Sequence, residues 1–215
     1  MTFEDLKARI EARHRDVLGQ PPRLAPVERS TVASDVQATT DRLRRGIAGE
    51  AADLPAIPLE VIPEIMFTLC RYPDLWQSLM DVTVQIQGPN SVLSARDRKL
   101  AVLRVGWLCQ APYEFGEHVG QARQLGFSRE EIEAIIAGSD AAGWDDHERA
   151  ILRAAEELHE TAMVSDATWE QLSQRLDEQQ LFELLIVIGQ FTATAYFQNA
   201  LRLRLEKNNQ GLASR

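Results

Sequence analysis

Cysteine is scarce in this chain: Cys70 and Cys109 are the two thiols in 215 residues. Two isolated cysteines make no secreted disulfide framework, so the expectation is a cytoplasmic protein with both thiols reduced. The opening MTFEDLKARIEARHRD is charged and has no apolar signal core. No run approaches the roughly 18 apolar residues that span a bilayer, so no membrane partner is expected. Basic residues are also in deficit, 23 against 32 acidic ones for a net charge of -9. Phosphate recognition needs a concentrated basic surface, and this balance argues against a nucleic-acid partner. The most basic segment, DRLRRG at Asp41–Gly46, is short and reads as a solvated helix end.

Strand patterns are missing too. No alternating apolar run of useful length occurs, and no Gly-rich phosphate loop, which removes nucleotide-cradling folds. Metal motifs fail on inspection. Glu11 to His14 and Glu156 to His159 both match E-x-x-H, but the first is embedded in charge and the second continues as HETAM rather than H-E-x-x-H. No metal and no bound cofactor are expected.

What the chain does contain is helix punctuation. Gly88-Pro89-Asn90 ends a helix begun near Leu75, and Ser94 with Asp97 opens the next. Pro112 suits the first turn of a helix that stops at Gly126, and Ser128 with Glu131 forms a capping box closed by Gly138. A last helix from about Glu178 to Leu205 is apolar around most of its circumference, as for a helix buried against several others or at a subunit interface. The reading is all-α, with an N-terminal helical arm over 1–50 and the main domain over 51–215.

Polarity concentrates in CQAPYEFGEH, Cys109 to His118, directly after the apolar KLAVLRVGWL. If Pro112 begins a helix, Glu114 and His118 share one face four residues apart, with Ala111, Gln121 and Ala122 near it. A carboxylate beside an imidazole fixes its tautomer and raises its pKa, while burial raises that of the carboxyl, so the pair suits proton transfer. The same spacing also serves a plain helix-stabilising ion pair. Cys109 can equally be a small buried apolar residue.

The stretch RDRKLAVLRVGWLCQAPYEFGEHVGQARQLGFSREEIEAI resembles the signature region of the carboxymuconolactone decarboxylase family, which includes the alkylhydroperoxidase D-like proteins. The likeness continues through WDDHERAILRAAEELHETAMVSDATWEQL and FELLIVIGQFTATAYFQNAL. It implies an alkylhydroperoxidase D-like helical fold assembled as a homo-oligomer, a trimer or hexamer. The redox members carry C-x-x-C-x-x-x-H. Setting their histidine on His118 puts the two cysteine positions on Ala111 and Glu114, and their upstream carboxylate on Lys99. The decarboxylase branch implies cofactor-free acid–base chemistry on a small organic acid or lactone. His118 and Glu114 are then the catalytic pair, and Tyr113, Arg104 and Tyr196 the substrate-binding candidates. The alternatives are a peroxidase working through Cys109 and a non-catalytic oligomer that binds a small ligand.

Overall fold

A computed structural model describes residues 2–25, 27–49 and 54–215, apart from the side chain of Phe3. Among them the chain forms ten α-helices and no strand. In order they are α1 (Phe3–Val17), α2 (Arg29–Ala48), α3 (Glu64–Leu69), α4 (Pro73–Gln87), α5 (Ala95–Leu108), α6 (Pro112–Gln124), α7 (Arg129–Ala137), α8 (Asp146–Thr161), α9 (Asp166–Ser173) and α10 (Glu178–Leu201). Single 3-10 turns occur at Leu59–Val61 and Gly211–Ala213.

Two compact units divide the described residues: those of Met1–Pro21 and Val92–Arg215 form the larger, and those of Pro22–Ser91 the smaller. The boundary drawn from the sequence between 50 and 51 lies outside the described residues. The helices on its N-terminal side belong to different units, α1 to the larger and α2 to the smaller.

The smaller unit packs α2 against α3 and α4. Its core is Val36, Ile62, Met66, Phe67, Cys70, Trp76 and Met80. Pro73 occupies the first turn of α4, where its missing N–H leaves no gap in the hydrogen-bond ladder.

The larger unit is built around α5, which packs against α6, α7, α8 and α10. Every residue from Lys99 to Trp107 is buried, so α5 has neighbours on all sides and no polar face. Its start is fixed by Ser94, whose hydroxyl accepts from the Asp97 N–H at 3.0 Å. The capping boxes of Ser128 with Glu131, Asp145 with Glu148 and Asp177 with Gln180 set the starts of α7, α8 and α10. Gly106 brings α5 and α6 together, since a Cβ there would stand 3.4 Å from the Phe115 backbone. The C-terminal segment lies across α6 and α1: the Asn209 amide donates to the Tyr113 carbonyl at 3.0 Å, and the Leu212 N–H to His14 Nε2 at 3.0 Å.

Candidate active site

The chain breaks between α5 and α6. Cys109 caps α5, Gln110 takes φ 48°, and Pro112 restarts the helix. Cys109 therefore lies in the turn, outside a continuous helical register. Glu114 falls in the first turn of α6, where a carboxylate is favoured by the helix dipole. His118 follows one turn later on the same face, and Gln121 continues it.

These side chains meet a cation from α5. Lys99 Nζ lies 2.8 Å from His118 Nδ1 and donates to Gln121 Oε1 at 2.8 Å. With the ammonium donating to Nδ1, the ring proton sits on Nε2, which is 3.0 Å from Glu114 Oε1. The other carboxylate oxygen accepts from the Gln198 amide of α10 at 2.6 Å. Phe191 closes one side of the imidazole edge-on, ring centroids 5.0 Å apart. Lys99, Glu114, His118 and Gln198 are all buried. Despite the short contact to Nε2, Glu114 Oε1 has no well-aligned hydrogen-bond donor among the described residues, and neither does Gln198 Oε1.

Burial dominates the protonation of the cluster. It lowers Lys99 from 10.5 to about 8, against the attraction of Glu114. Burial and then the Lys99 charge hold His118 below its ordinary range, and Glu114 opposes both. The sequence reading expected the carboxylate to raise the histidine. Burial, and after it the lysine charge that no pairwise reading of Glu114 and His118 includes, reverse that outcome.

The other candidates go elsewhere. Tyr113 is buried, but its hydroxyl donates to Glu206 Oε1 at 2.9 Å; burial, then Glu206, pushes the phenol upward. Arg104 turns away from Glu114, donating to the carbonyls of Ile135 and Ile136 at 2.8 and 2.9 Å and pairing with Glu156 at 2.9 Å. Tyr196 is 62% exposed, two residues and so roughly 200° round α10 from the buried Gln198. The structure thus joins Glu114 and His118, adds Lys99, Gln121 and Gln198, and leaves Tyr113, Arg104 and Tyr196 outside. Lys99 carried a signal in the sequence, because it fills the position that is a carboxylate in the redox relatives. Gln198 carried none, since α10 is apolar nearly all round.

The thiols are poorly placed for redox work. Burial, then Glu114, pushes Cys109 up to about 11, and its sulfur stands 4.0 Å from His159 Nδ1, not beside His118. Both cysteines are free, and Cys70 is buried in the smaller unit. No group of three or more His, Cys, Asp or Glu side chains is placed to hold a metal among the described residues.

The fold is an alkylhydroperoxidase D-like helical one, and it holds a buried Lys-His-Glu cluster. Residues 71–157 match the sequence profile of the carboxymuconolactone decarboxylase family. Among solved structures, it is similar to an uncharacterized peroxidase-related protein from Silicibacter sp. TM1040, with 16% identity, TM-score 0.71 and coverage of 90% of this chain and 96% of that one. An uncharacterized peroxidase-related protein from Ralstonia eutropha JMP134, described as an alkylhydroperoxidase AhpD core, gives 16% identity, TM-score 0.70 and coverage of 87% and 94%. The debrominase Bmp8, in a C-to-A variant complexed with 2,3,4-tribromopyrrole, gives 14% identity, TM-score 0.67 and coverage of 88% and 96%. No curated protein sequence matches the chain.

Proposed function

We propose that this protein is a cofactor-free acid–base enzyme that acts on a small organic acid or lactone through Lys99, His118 and Glu114. The observation that carries the reading is the buried ammonium–imidazole–carboxylate line across α5 and α6. Such a cluster is a poor investment for stability alone. Desolvating its charges is expensive, and apolar residues of similar volume would serve the core as well or better. Titratable groups with shifted pKa values on facing helices are instead what proton transfer requires.

In this reading Lys99 attracts the carboxylate of the substrate, or the oxygen on which negative charge develops. Decarboxylation breaks a carbon–carbon bond and leaves the electron pair on carbon, delocalised into an adjacent carbonyl. His118 then delivers its Nε2 proton to that carbon while Nδ1 takes a proton from the Lys99 ammonium, so the ring stays neutral. Carbon dioxide leaves, and Lys99 is reprotonated from solvent before the next turnover. Gln198 holds Glu114 from the other side, so the carboxylate keeps its orientation through the cycle. A fold neighbour that binds a small heteroaromatic ligand is consistent with a small-molecule substrate.

The test is turnover of a panel of β-keto acids and lactones by the parent and by His118→Ala. We expect His118→Ala to lose about 10²–10⁴-fold in kcat/KM, the usual worth of a general acid or base. A Cys70→Ser, Cys109→Ser double variant should retain the parent rate. Unaltered turnover in His118→Ala would remove the assignment, and peroxide reduction lost only with the cysteines would move it to the thiols.

A second reading is favoured by the depth of the cluster: Glu114 is 3% and His118 6% exposed, as fits a structural pair in a non-catalytic ligand-binding oligomer. On that reading His118→Ala changes the unfolding midpoint and no reaction rate.

A further inference from the structure

The face of α10 turned away from the bundle carries Phe182, Ile186, Gly189, Ala193, Tyr196 and Ala200, all exposed. Phe182 is 66% and Tyr196 62% exposed. Their spacing alternates between four and three residues, the period of about 3.5 that marks a helix–helix seam. No Asp, Glu, Lys or Arg occurs anywhere from 184 to 201. Large apolar side chains aligned along one exposed helix mark an association surface.

We infer that this face pairs with the same face of a second copy of the chain, antiparallel about a two-fold axis passing near residue 191. Two features of the helix select that occupant and that direction. The first is size. An antiparallel pairing about residue 191 sets Phe182 against the other copy's Ala200, Ile186 against Tyr196, and Gly189 against Ala193. The outermost layer combines a large side chain with a small one, and the next sets two large apolar side chains together. The central layer is small on both sides, which lets the two backbones approach. A Cβ at Gly189 would meet nothing within 4 Å, so the space above it is open in one chain.

The second feature is charge. Asp177 and Glu178 stand exposed at the start of α10, and Arg202 and Arg204 follow its end. None of the four forms an ion pair with the other end's charges within the chain among the described residues. Antiparallel pairing lays each acidic end over the other copy's basic end and opposes the two helix dipoles. Parallel pairing would stack acid on acid and base on base.

Such a contact is isologous, so it generates even assemblies, a dimer or a two-fold-containing hexamer, and not a plain trimer. It also accounts for the length and apolarity of α10: against the sequence reading, which finds no run near 18 apolar residues, this helix is long and apolar enough to cross a membrane by length and composition alone. The buried side of the helix instead carries Glu183 and Gln198, both hydrogen-bonded inside the larger unit.

The test is sedimentation velocity on the parent and on Ala193→Glu, which places a charge in the centre of an exposed face without touching the core. The parent should sediment as two or six chains. Ala193→Glu should halve that mass, two to one or six to three, with an unchanged far-UV circular dichroism spectrum. Under mild oxidation Gly189→Cys with Ala193→Cys should give covalent dimers, while Ala193→Cys alone matches the parent. A monomeric or odd-numbered parent, an unaltered mass for Ala193→Glu, or cross-linking by Ala193→Cys alone overturns the proposal. So does a monomeric parent that floats with phosphatidylcholine vesicles, which would make lipid the occupant.

Discussion

Lys99 and Arg104 lie five residues apart on α5, and both carry a cation into the interior of the larger unit. Their surroundings differ in how completely the opposing groups are satisfied. Around Arg104, the guanidinium donates to two carbonyls in the last turn of α7, where the helix leaves carbonyls without partners and the dipole favours positive charge. Its carboxylate partner Glu156 is filled as well, accepting from the Ser139 N–H at 2.8 Å and the Ser139 hydroxyl at 2.6 Å. Around Lys99 the ammonium meets a neutral imidazole and an amide, and a carboxylate oxygen beyond them lacks an aligned donor. The first network leaves Arg104 Nε without a partner among the described residues, but its carboxylate is filled, and it ties a helix end and a loop to the core. The second leaves a buried carboxylate oxygen without an aligned donor among the described residues. The difference teaches that burial of charge alone does not separate the two clusters; the carboxylate does, filled at Glu156 and left with an oxygen lacking an aligned donor at Glu114.

The comparison breaks most visibly in stability. Arg104→Met should cost about 3 kcal/mol, because Glu156 loses its cation, though not its Ser139 donors, and the α7 carbonyls lose their cap. Urea denaturation of the parent and the variant measures it, and a loss below about 1 kcal/mol would erase the contrast between the clusters. Gly138→Ala should cost less, of order 1–3 kcal/mol, at the same place. Gly138 has φ 112°, and an added Cβ would stand 2.7 Å from Arg104 Nη2 and 2.8 Å from Glu156 Oε1. Thermal unfolding with an Arg104→Met, Gly138→Ala double variant sharpens the point: if the glycine acts through the guanidinium, the two losses are less than additive.

How much of this was legible in the sequence depends on whether the signal is local. Helix starts were readable, because Ser94, Ser128 and Pro112 do their work within one turn: the expected helix from Ser94 to about Gln110 is Ala95–Leu108, and that from Pro112 ends at Gln124. The Glu114–His118 pair was readable for the same reason. Arg104 and Tyr196 were placed at the site by proximity to apolar runs, and that argument fails where helices are buried on most sides. Neither α5 nor α10 has a polar face to show which way each residue points, so the sequence marks Arg104 and Tyr196 as substrate-binding candidates without a direction for either side chain, and does not mark Gln198. Lys99 is the intermediate case. The family register marked it as the position of the redox relatives' carboxylate, but its contact with His118 and its effect on the histidine require the three-dimensional balance of burial and charge.

The smallest effect tests the Lys99 cluster directly. Lys99→Met should leave stability at pH 7 unchanged or raise it, since the buried ammonium has no carboxylate in contact and an apolar side chain fits the same space. The sign with pH follows from linkage. In the native protein Lys99 releases its proton near pH 8, whereas in the unfolded chain it does so near the ordinary 10.5. Between these values the unfolded state holds a proton that the native state lacks, so stability from this group rises with pH across that window. Below about 8 both states are protonated, the slope vanishes, and the burial penalty is fully present. The advantage of Lys99→Met over the parent should therefore be largest at pH 7 and shrink as the pH approaches 10. Parallel urea titrations at pH 7, 9 and 10 read it. A difference that stays constant would mean that Lys99 titrates in the folded protein as it does in water, and the ammonium would then contribute to the cluster only as a fixed charge.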